Sequence, residues 1–294
     1  MIKLANAYYR AIDNGEIPSS KFSFESHFKT GKTTDYAAGK VFQNYPVAAI
    51  SYWRSNTPIS LSEVERKNDM SEGVEKGVIF IGRNRVVHVR ESRKVAVSFP
   101  SKMYGTETVL NVLPWQWAAD IRPGVKLSRI TDISKAASIV KSVSVNRTGA
   151  AYEMTRTYND DAPKGLDFRV EGSLAYGGAI TRYHSIQPDI ATNTSYEYAR
   201  DGSGTLYLSK LTGKHTGKRS NLEWSLSVTN HLSGDLDPGS PEFRFDKGSL
   251  APGTQYVVYG ADGTSSTTTT IGEQSEDEIF SDLADELRKS GFGK

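Results

Sequence analysis

A mainly β fold, a β-sandwich or barrel of hairpins with short N- and C-terminal helices, is predicted by three features of the sequence. Phe22, Phe24 and Phe28, and later Leu222, Trp224, Leu226 and Val228, alternate with other residues, the period of strands that bury one face. From Gly77 to Pro100 the runs Val78-Ile79-Phe80-Ile81, Val86-Val87-His88-Val89 and Val95-Ala96-Val97-Ser98-Phe99 read as a three-stranded meander. No internal repeat of fixed period is visible, which argues against a propeller or solenoid and for one β-rich body over residues 1–259.

The first element is a short helix: Ala5, Tyr8, Tyr9 and Ile12 recur at helical spacing, and Asn14-Gly15 stops it. The aromatic strand at Phe22 follows Pro18 and carries Ser26 on its apolar side. Thr30 to Lys40 is polar and poor in large apolar groups, a loop by composition, and another strand runs from Val47 to Arg54. Ser62 and Glu65 fit a capping box, so a brief surface helix is expected between Ser60 and Gly73. Beyond the meander, Val109 to Ile121 holds Trp115 and Trp117 beside Pro114 and suits a buried edge or an interface. Ile133 to Val145 reads as a short helix running into a strand. Leu166, Phe168 and Val170, then Tyr196-Glu197-Tyr198 and Leu206-Tyr207-Leu208 around the turn Asp201-Gly202-Ser203-Gly204, continue the series of hairpins.

Residues 260–274, centred on a run of Ser and Thr, have the composition of an exposed linker. Over 275–294, Ser275 and Glu278 fit a capping box, and Ile279, Phe280, Leu283 and Leu287 make an apolar stripe. Arg288 and Lys289 suit the negative end of the helix dipole, and Gly291 ends the helix. A helix this short is marginal alone, so its stripe is expected to dock on its own domain or on a neighbour.

The 294 residues carry 36 Lys plus Arg against 34 Asp plus Glu, a net charge of +2, and no cysteine. Disulfides, zinc-thiolate centres, iron–sulfur clusters and thiol nucleophiles are thereby excluded. The amino terminus lacks the unbroken apolar stretch of a secretory signal, and no window approaches the roughly 20 apolar residues a bilayer requires. A soluble chain without membrane insertion is expected.

Catalytic, cofactor-binding and metal-binding residues are not expected. Gly31-Lys32-Thr33-Thr34 has the end of a phosphate loop, but Ser26 stands where its first glycine is required, and Gly213 to Arg219 has the wrong spacing. His27, His88, His184, His215 and His231 form no close pair. Asp235 and Asp237 resemble half a calcium loop without the downstream Glu, which favours a turn. Ser203 lies in a hairpin turn rather than in a nucleophile elbow.

Charge is clustered. Gly77 to Lys102 holds Arg83, Arg85, Arg90, Arg93, Lys94 and Lys102 against Glu91, whereas Glu273 to Glu286 holds seven carboxylates and no Lys or Arg. Solvated faces, a basic surface for nucleic acid, and complementary patches joining copies of the protein all fit. The docking stripe and the two charge clusters together favour assembly, with Ile279, Phe280, Leu283, Leu287, Arg83, Arg85, Arg90 and Arg93 as interface candidates.

The opening helix from Leu4 to Asn14, the entry Pro18-Ser19-Ser20-Lys21-Phe22-Ser23-Phe24 and the hairpin-rich body resemble virion structural proteins of tailed bacteriophages, and within them the tube subunit of contractile tails. At residue level the resemblance covers about a tenth of the chain. It implies a non-enzymatic homo-oligomer of stacked rings closing a hollow barrel in a virion, assembled in the host cytoplasm. Its partners would be copies of itself and other virion proteins, with non-specific DNA passage or contact. The greater length, the linker and the terminal helix depart from a compact tube subunit. A head, neck or decoration protein, a β-rich polysaccharide hydrolase, and a nucleic-acid-binding module stand as alternatives.

Overall fold

The computed structural model of the protein describes residues 19–44, 47–66, 73–82, 84–100, 139–218, 221–237 and 239–272. Its first strands are β1 (Ser20–Thr30), β2 (Thr33–Asn44), β3 (Val47–Ser55), β4 (Glu75–Ile81), β5 (Arg85–Arg90) and β6 (Val95–Pro100). A second series comprises β7 (Val140–Thr148), β8 (Ala151–Tyr158), β9 (Asp167–Ser173), β10 (Ala179–Gln187), β11 (Ile190–Arg200), β12 (Leu206–Gly217) and β13 (Asn221–Ser233). The hairpin β14 (Gln255–Tyr259) and β15 (Ser266–Thr270) closes the described chain, and a single turn of helix, α1 (Leu61–Arg66), lies between β3 and β4.

All fifteen strands belong to one sheet, in the order β15-β14-β6-β5-β4-β3-β2-β1-β13-β12-β11-β10-β9-β8-β7. Two meanders are joined where β1 pairs antiparallel with β13. The exception to antiparallel pairing is β14 on β6. The chain leaves β13 in mid-sheet and reaches a distant edge through a long connection, which is what a parallel pairing requires and a short hairpin cannot supply. Residues of that crossover pack on the second face of the sheet, where Phe245 and Leu250 join Phe80, Val87, Val89, Ala96 and Tyr256 in a small apolar cluster.

The first face carries the main core. It holds Phe22 and Phe24 of β1, Val41, Ile50, Ile79, Val86 and Phe99 toward one edge, and Trp224, Leu226, Leu211, Tyr196, Ile180, Val170 and Met154 toward the other. Full burial of each large side chain is worth about 1.5–3 kcal/mol. Four aromatic rings on this face each stand opposite a glycine of the next strand: Phe24 and Gly39, Tyr52 and Gly77, Tyr152 and Gly172, Trp224 and Gly213. A methyl group built at Gly213 would stand 2.2 Å from Trp224 Cε2, so the ring lies where any larger residue would put its Cβ.

The mainly β expectation holds, but the sandwich or barrel is corrected to one open sheet. Among the described residues β15 and β7 each pair on one side. Alternation and hairpins are local and identical in open and closed sheets, whereas closure depends on pairing the first strand with the last. Thr33 to Lys40, expected as a loop, is strand β2, because Ala37, Gly39 and Val41 face the core and small residues there hide the alternation. The α1 capping box is set two residues earlier than expected: Ser60 N donates to Glu63 Oε2 at 3.3 Å and Glu63 N donates to Ser60 Oγ at 3.4 Å. Glu65 instead pairs with Lys40 at 2.5 Å.

The Ser/Thr stretch read as linker 260–274 contains β15, paired antiparallel with β14. The helix at Leu4 to Asn14, the segment with Trp115 and Trp117, and the C-terminal helix over 275–294 lie outside the described residues.

Candidate functional site

The core face changes character toward β7. At β3 to β5, Ile50, Ile79 and Val86 are sealed at 0% exposure. Across β7, β8 and β10, Val143, Val145, Tyr158 and Tyr183 pack against the same core but are only half-buried. Pairing of Val143 with Arg156, Val145 with Met154, Met154 with Val170, and Val170 with Tyr183 sets these residues in adjacent rows of one wall.

Arg156 stands in the apolar phase of β8, between Met154 and Tyr158. Its guanidinium carbon lies 3.8 Å from the centroid of the Phe168 ring, a cation–π distance. Tyr183 meets Phe168 edge-on at 5.7 Å. Burial pushes the Tyr158 hydroxyl up, and the Arg156 charge and hydrogen bond pull it back. Arg156 Nε is buried and has no hydrogen-bond acceptor. Among the described residues no carboxylate pairs with this guanidinium.

A second polar group interrupts the core face at β3, β4 and β5. The Tyr52 hydroxyl lies 2.6 Å from His88 Nε2 and 3.4 Å from Glu75 Oε1. Arg90 grips Glu75 through Nε at 2.6 Å and a terminal nitrogen at 3.0 Å, the planar fork that matches a carboxylate. Arg93 approaches the same carboxylate at 3.4 Å, and Arg54 pairs with Asp35 at 2.9 Å. The Arg90 hydrogen bond holds the Glu75 carboxyl below the usual carboxylate range. Burial drives Tyr52 up and, with the Arg90 charge, drives His88 down to about 4. At neutral pH this group is a neutral imidazole beside arginine–carboxylate pairs.

A third group gathers at the turn between β11 and β12. Asp201 Oδ1 accepts from Ser203 N at 3.0 Å, Ser203 Oγ at 2.7 Å and Thr205 N at 3.0 Å. Oδ2 accepts from Ser233 N at 2.8 Å and Ser233 Oγ at 2.6 Å, and lies 3.1 Å from His231 Nδ1. The register shift between β1 and β13 and the left-handed Asn230, at φ 53°, turn His231 onto Asp201. Tyr207 stacks on His231 at 4.1 Å. The two serines bond to the carboxylate and to each other, so Ser203 lacks the serine-to-imidazole bond that would activate a nucleophile. Their hydroxyls hold the Asp201 carboxyl well below the ordinary range, and burial lowers His231 against the pull of Asp201.

Of the interface candidates, Ile279, Phe280, Leu283, Leu287 and Arg83 lie outside the described residues. Arg85 is a staple inside the sheet: its Nε donates to Ser98 Oγ at 2.8 Å and a terminal nitrogen donates to the Tyr259 carbonyl at 2.7 Å. Arg90 and Arg93 converge on Glu75. Gly31-Lys32 is the tight turn of the β1–β2 hairpin, and Asp237 caps a turn through Gly239 N at 2.8 Å. No group of three or more potential metal ligands occurs among the described residues. Arg156 was missed in the sequence; the signal that could have found it is a charged residue in the alternating series Tyr152, Met154, Arg156, Tyr158. The Tyr52–His88 and Asp201–His231 pairs had none, because their members are far apart in the chain.

No family model matches the chain, and no curated protein matches it. Three solved structures are similar in outline. One is a DUF1329 family protein from Desulfovibrio piger, at 9% identity over 85% of this chain and 99% of that one, with a TM-score of 0.45. Another is an uncharacterized conserved protein from Thermus thermophilus, at 9% identity over 86% and 99%, with a TM-score of 0.32. The third, from Vibrio parahaemolyticus, is described as an outer membrane lipoprotein-sorting protein domain; it shares 8% identity over 80% and 93%, with a TM-score of 0.42.

These are bacterial proteins, not phage tail proteins. The tail-tube resemblance is corrected, and with it the reading of a self-assembling virion component in a host cytoplasm. Of the residues that suggested it, Ser19 to Phe24 lead into the central strand of one open sheet.

Proposed function

We propose that this chain is a non-catalytic binding protein whose core face, along β7 to β10, receives an acyl chain or a similarly apolar ligand. The observation that carries this reading is the contrast along one wall. Ile50, Ile79 and Val86 are sealed on β3 to β5, whereas toward β7 the partly buried Val143, Val145, Tyr158 and Tyr183 stand beside the sealed Met154, Phe168, Val170 and Ile180. Apolar surface left half-covered at one end of a core is the usual lining of a ligand groove. The ionisable groups support binding rather than chemistry, since Glu75 and Asp201 are committed to internal hydrogen bonds.

The test is titration of the protein with a fluorescent alkyl probe below its micellar concentration, for the wild type and for Val145→Asp. Saturable binding that the aspartate weakens at least tenfold is expected, because a carboxylate in that wall must be desolvated when a chain enters. Absence of saturable binding, or an unchanged affinity in Val145→Asp, overturns the reading.

A further inference from the structure

We infer that Arg156 is the polar anchor of this groove and that it selects an anionic amphiphile, pairing its guanidinium with a carboxylate or phosphate head while the chain follows Val143, Val145 and Tyr158. The inference rests on the proposed function and adds the chemical class of the ligand.

Arginine stays charged at every physiological pH, and a charge placed among apolar groups is costly unless it is paired. Four other sheet arginines keep this rule, while Arg85, Arg147 and Arg200 bond to carbonyl oxygens instead. Arg54 has Asp35, Arg90 has Glu75, Arg169 has Glu153, and Arg182 has Glu171. Arg156 instead has the face of Phe168 and the hydroxyl of Tyr158, and its buried Nε lacks an acceptor. The adjacent acid, Asp167, is held by His184 at 3.2 Å. Among the described residues, Arg156 therefore has an Nε without an acceptor and a charge without a carboxylate, at one point of a partly covered apolar wall. An anion with an apolar tail satisfies both, and the ring of Phe168 fixes the guanidinium for a fork-shaped contact.

Three probes of equal chain length test this: a fatty acid, an alkyl phosphate and a fatty alcohol, titrated into the full chain as wild type, Arg156→Gln and Arg156→Lys. The wild type is expected to bind at least one of the two anions roughly tenfold or more tighter than the alcohol, as a charge-assisted hydrogen bond implies. Arg156→Gln should bind all three alike, at the affinity of the alcohol. Arg156→Lys, which keeps the charge without the fork, should retain part of the preference and serves if the glutamine variant does not fold. Preference for the fatty acid alone points to a free carboxylate, and preference for the alkyl phosphate to a phospholipid-type head. Equal binding of all three by the wild type, or an anion preference that survives Arg156→Gln, overturns the anchor while leaving the groove standing. Failure of all three to bind overturns both.

Discussion

The hydroxyl of Tyr52 lies 2.6 Å from His88 Nε2, and the Glu75 carboxylate that also faces this hydroxyl is gripped by Arg90 from the neighbouring strand. Tyr52 can stand there because Gly77 lies opposite it: a Cβ on Gly77 would come within 2.6 Å of the Tyr52 oxygen. A polar cluster has thus been set into a core face by one missing side chain.

The first prediction concerns pH. His88 is 8% exposed and binds its proton near pH 4 in the folded protein, against about 6.5 in an unfolded chain. Between these values the unfolded state holds more protons, so the contribution to stability is complete above pH 6.5 and drains away as pH falls through 4. Roughly 3 kcal/mol should be lost through this residue over that window. Urea unfolding of wild type and His88→Asn across it should show a shallower slope for the variant; equal slopes would mean that the folded imidazole already carries a charge.

Glu75→Gln should destabilise the protein by about 1–3 kcal/mol, because Arg90 and Arg93 lose the carboxylate they share. The Glu75 charge also supports a proton on His88, so its removal should move the acid transition of the imidazole lower still. Chemical denaturation and NMR titration of His88 read the two effects separately, and a transition that rises would refute the assigned coupling.

Gly213→Ala tests the ring-over-glycine packing. The new methyl would overlap the Trp224 indole, and forced repacking of a tight core costs about 1–3 kcal/mol. Gly202→Ala, where a Cβ meets nothing within 4 Å, is the control and should stay within about 0.5 kcal/mol of wild type. Near-equal melting of the two variants would show that the indole can move aside without loss.

Asp201→Asn should lower the thermal midpoint, since one amide cannot accept all six hydrogen bonds that converge on the carboxylate. The depressed pKa of Asp201 means that its contribution is present above about pH 4 and is lost as acid protonates it. The variant should therefore show a flatter stability profile below pH 4 than wild type. A melting curve and acid response matching the wild type would exclude this carboxylate as the tie between the β11–β12 turn and β13.

Much of the strand content was legible because its signal is local. The Val78 to Phe99 meander became β4, β5 and β6, and the Val47 to Arg54 strand became β3. Strand β2 was missed because Ala37 and Gly39 on its core face carry too little hydrophobicity to show the period. The basic meander looked like a surface for a partner, but a residue count cannot reveal that Glu75 lies across the strand from Arg90 or that Arg85 reaches the Tyr259 carbonyl. Arg156 was missed, although it stands as a charge among apolar alternates, because its neighbours on β7 and β9 are known only from the fold.

Sequence alone decided that this chain makes strands and turns, since side-chain periodicity and turn chemistry act over a few residues and need no distant partner. Tertiary structure alone decided that the strands form one open sheet joined at β1 and β13, that four rings lie over glycines, and that Tyr52 meets His88 while Arg156 meets the Phe168 ring. Those outcomes depend on which strands lie side by side, and such pairing is settled by burial summed over the whole face rather than by any local stretch of chain.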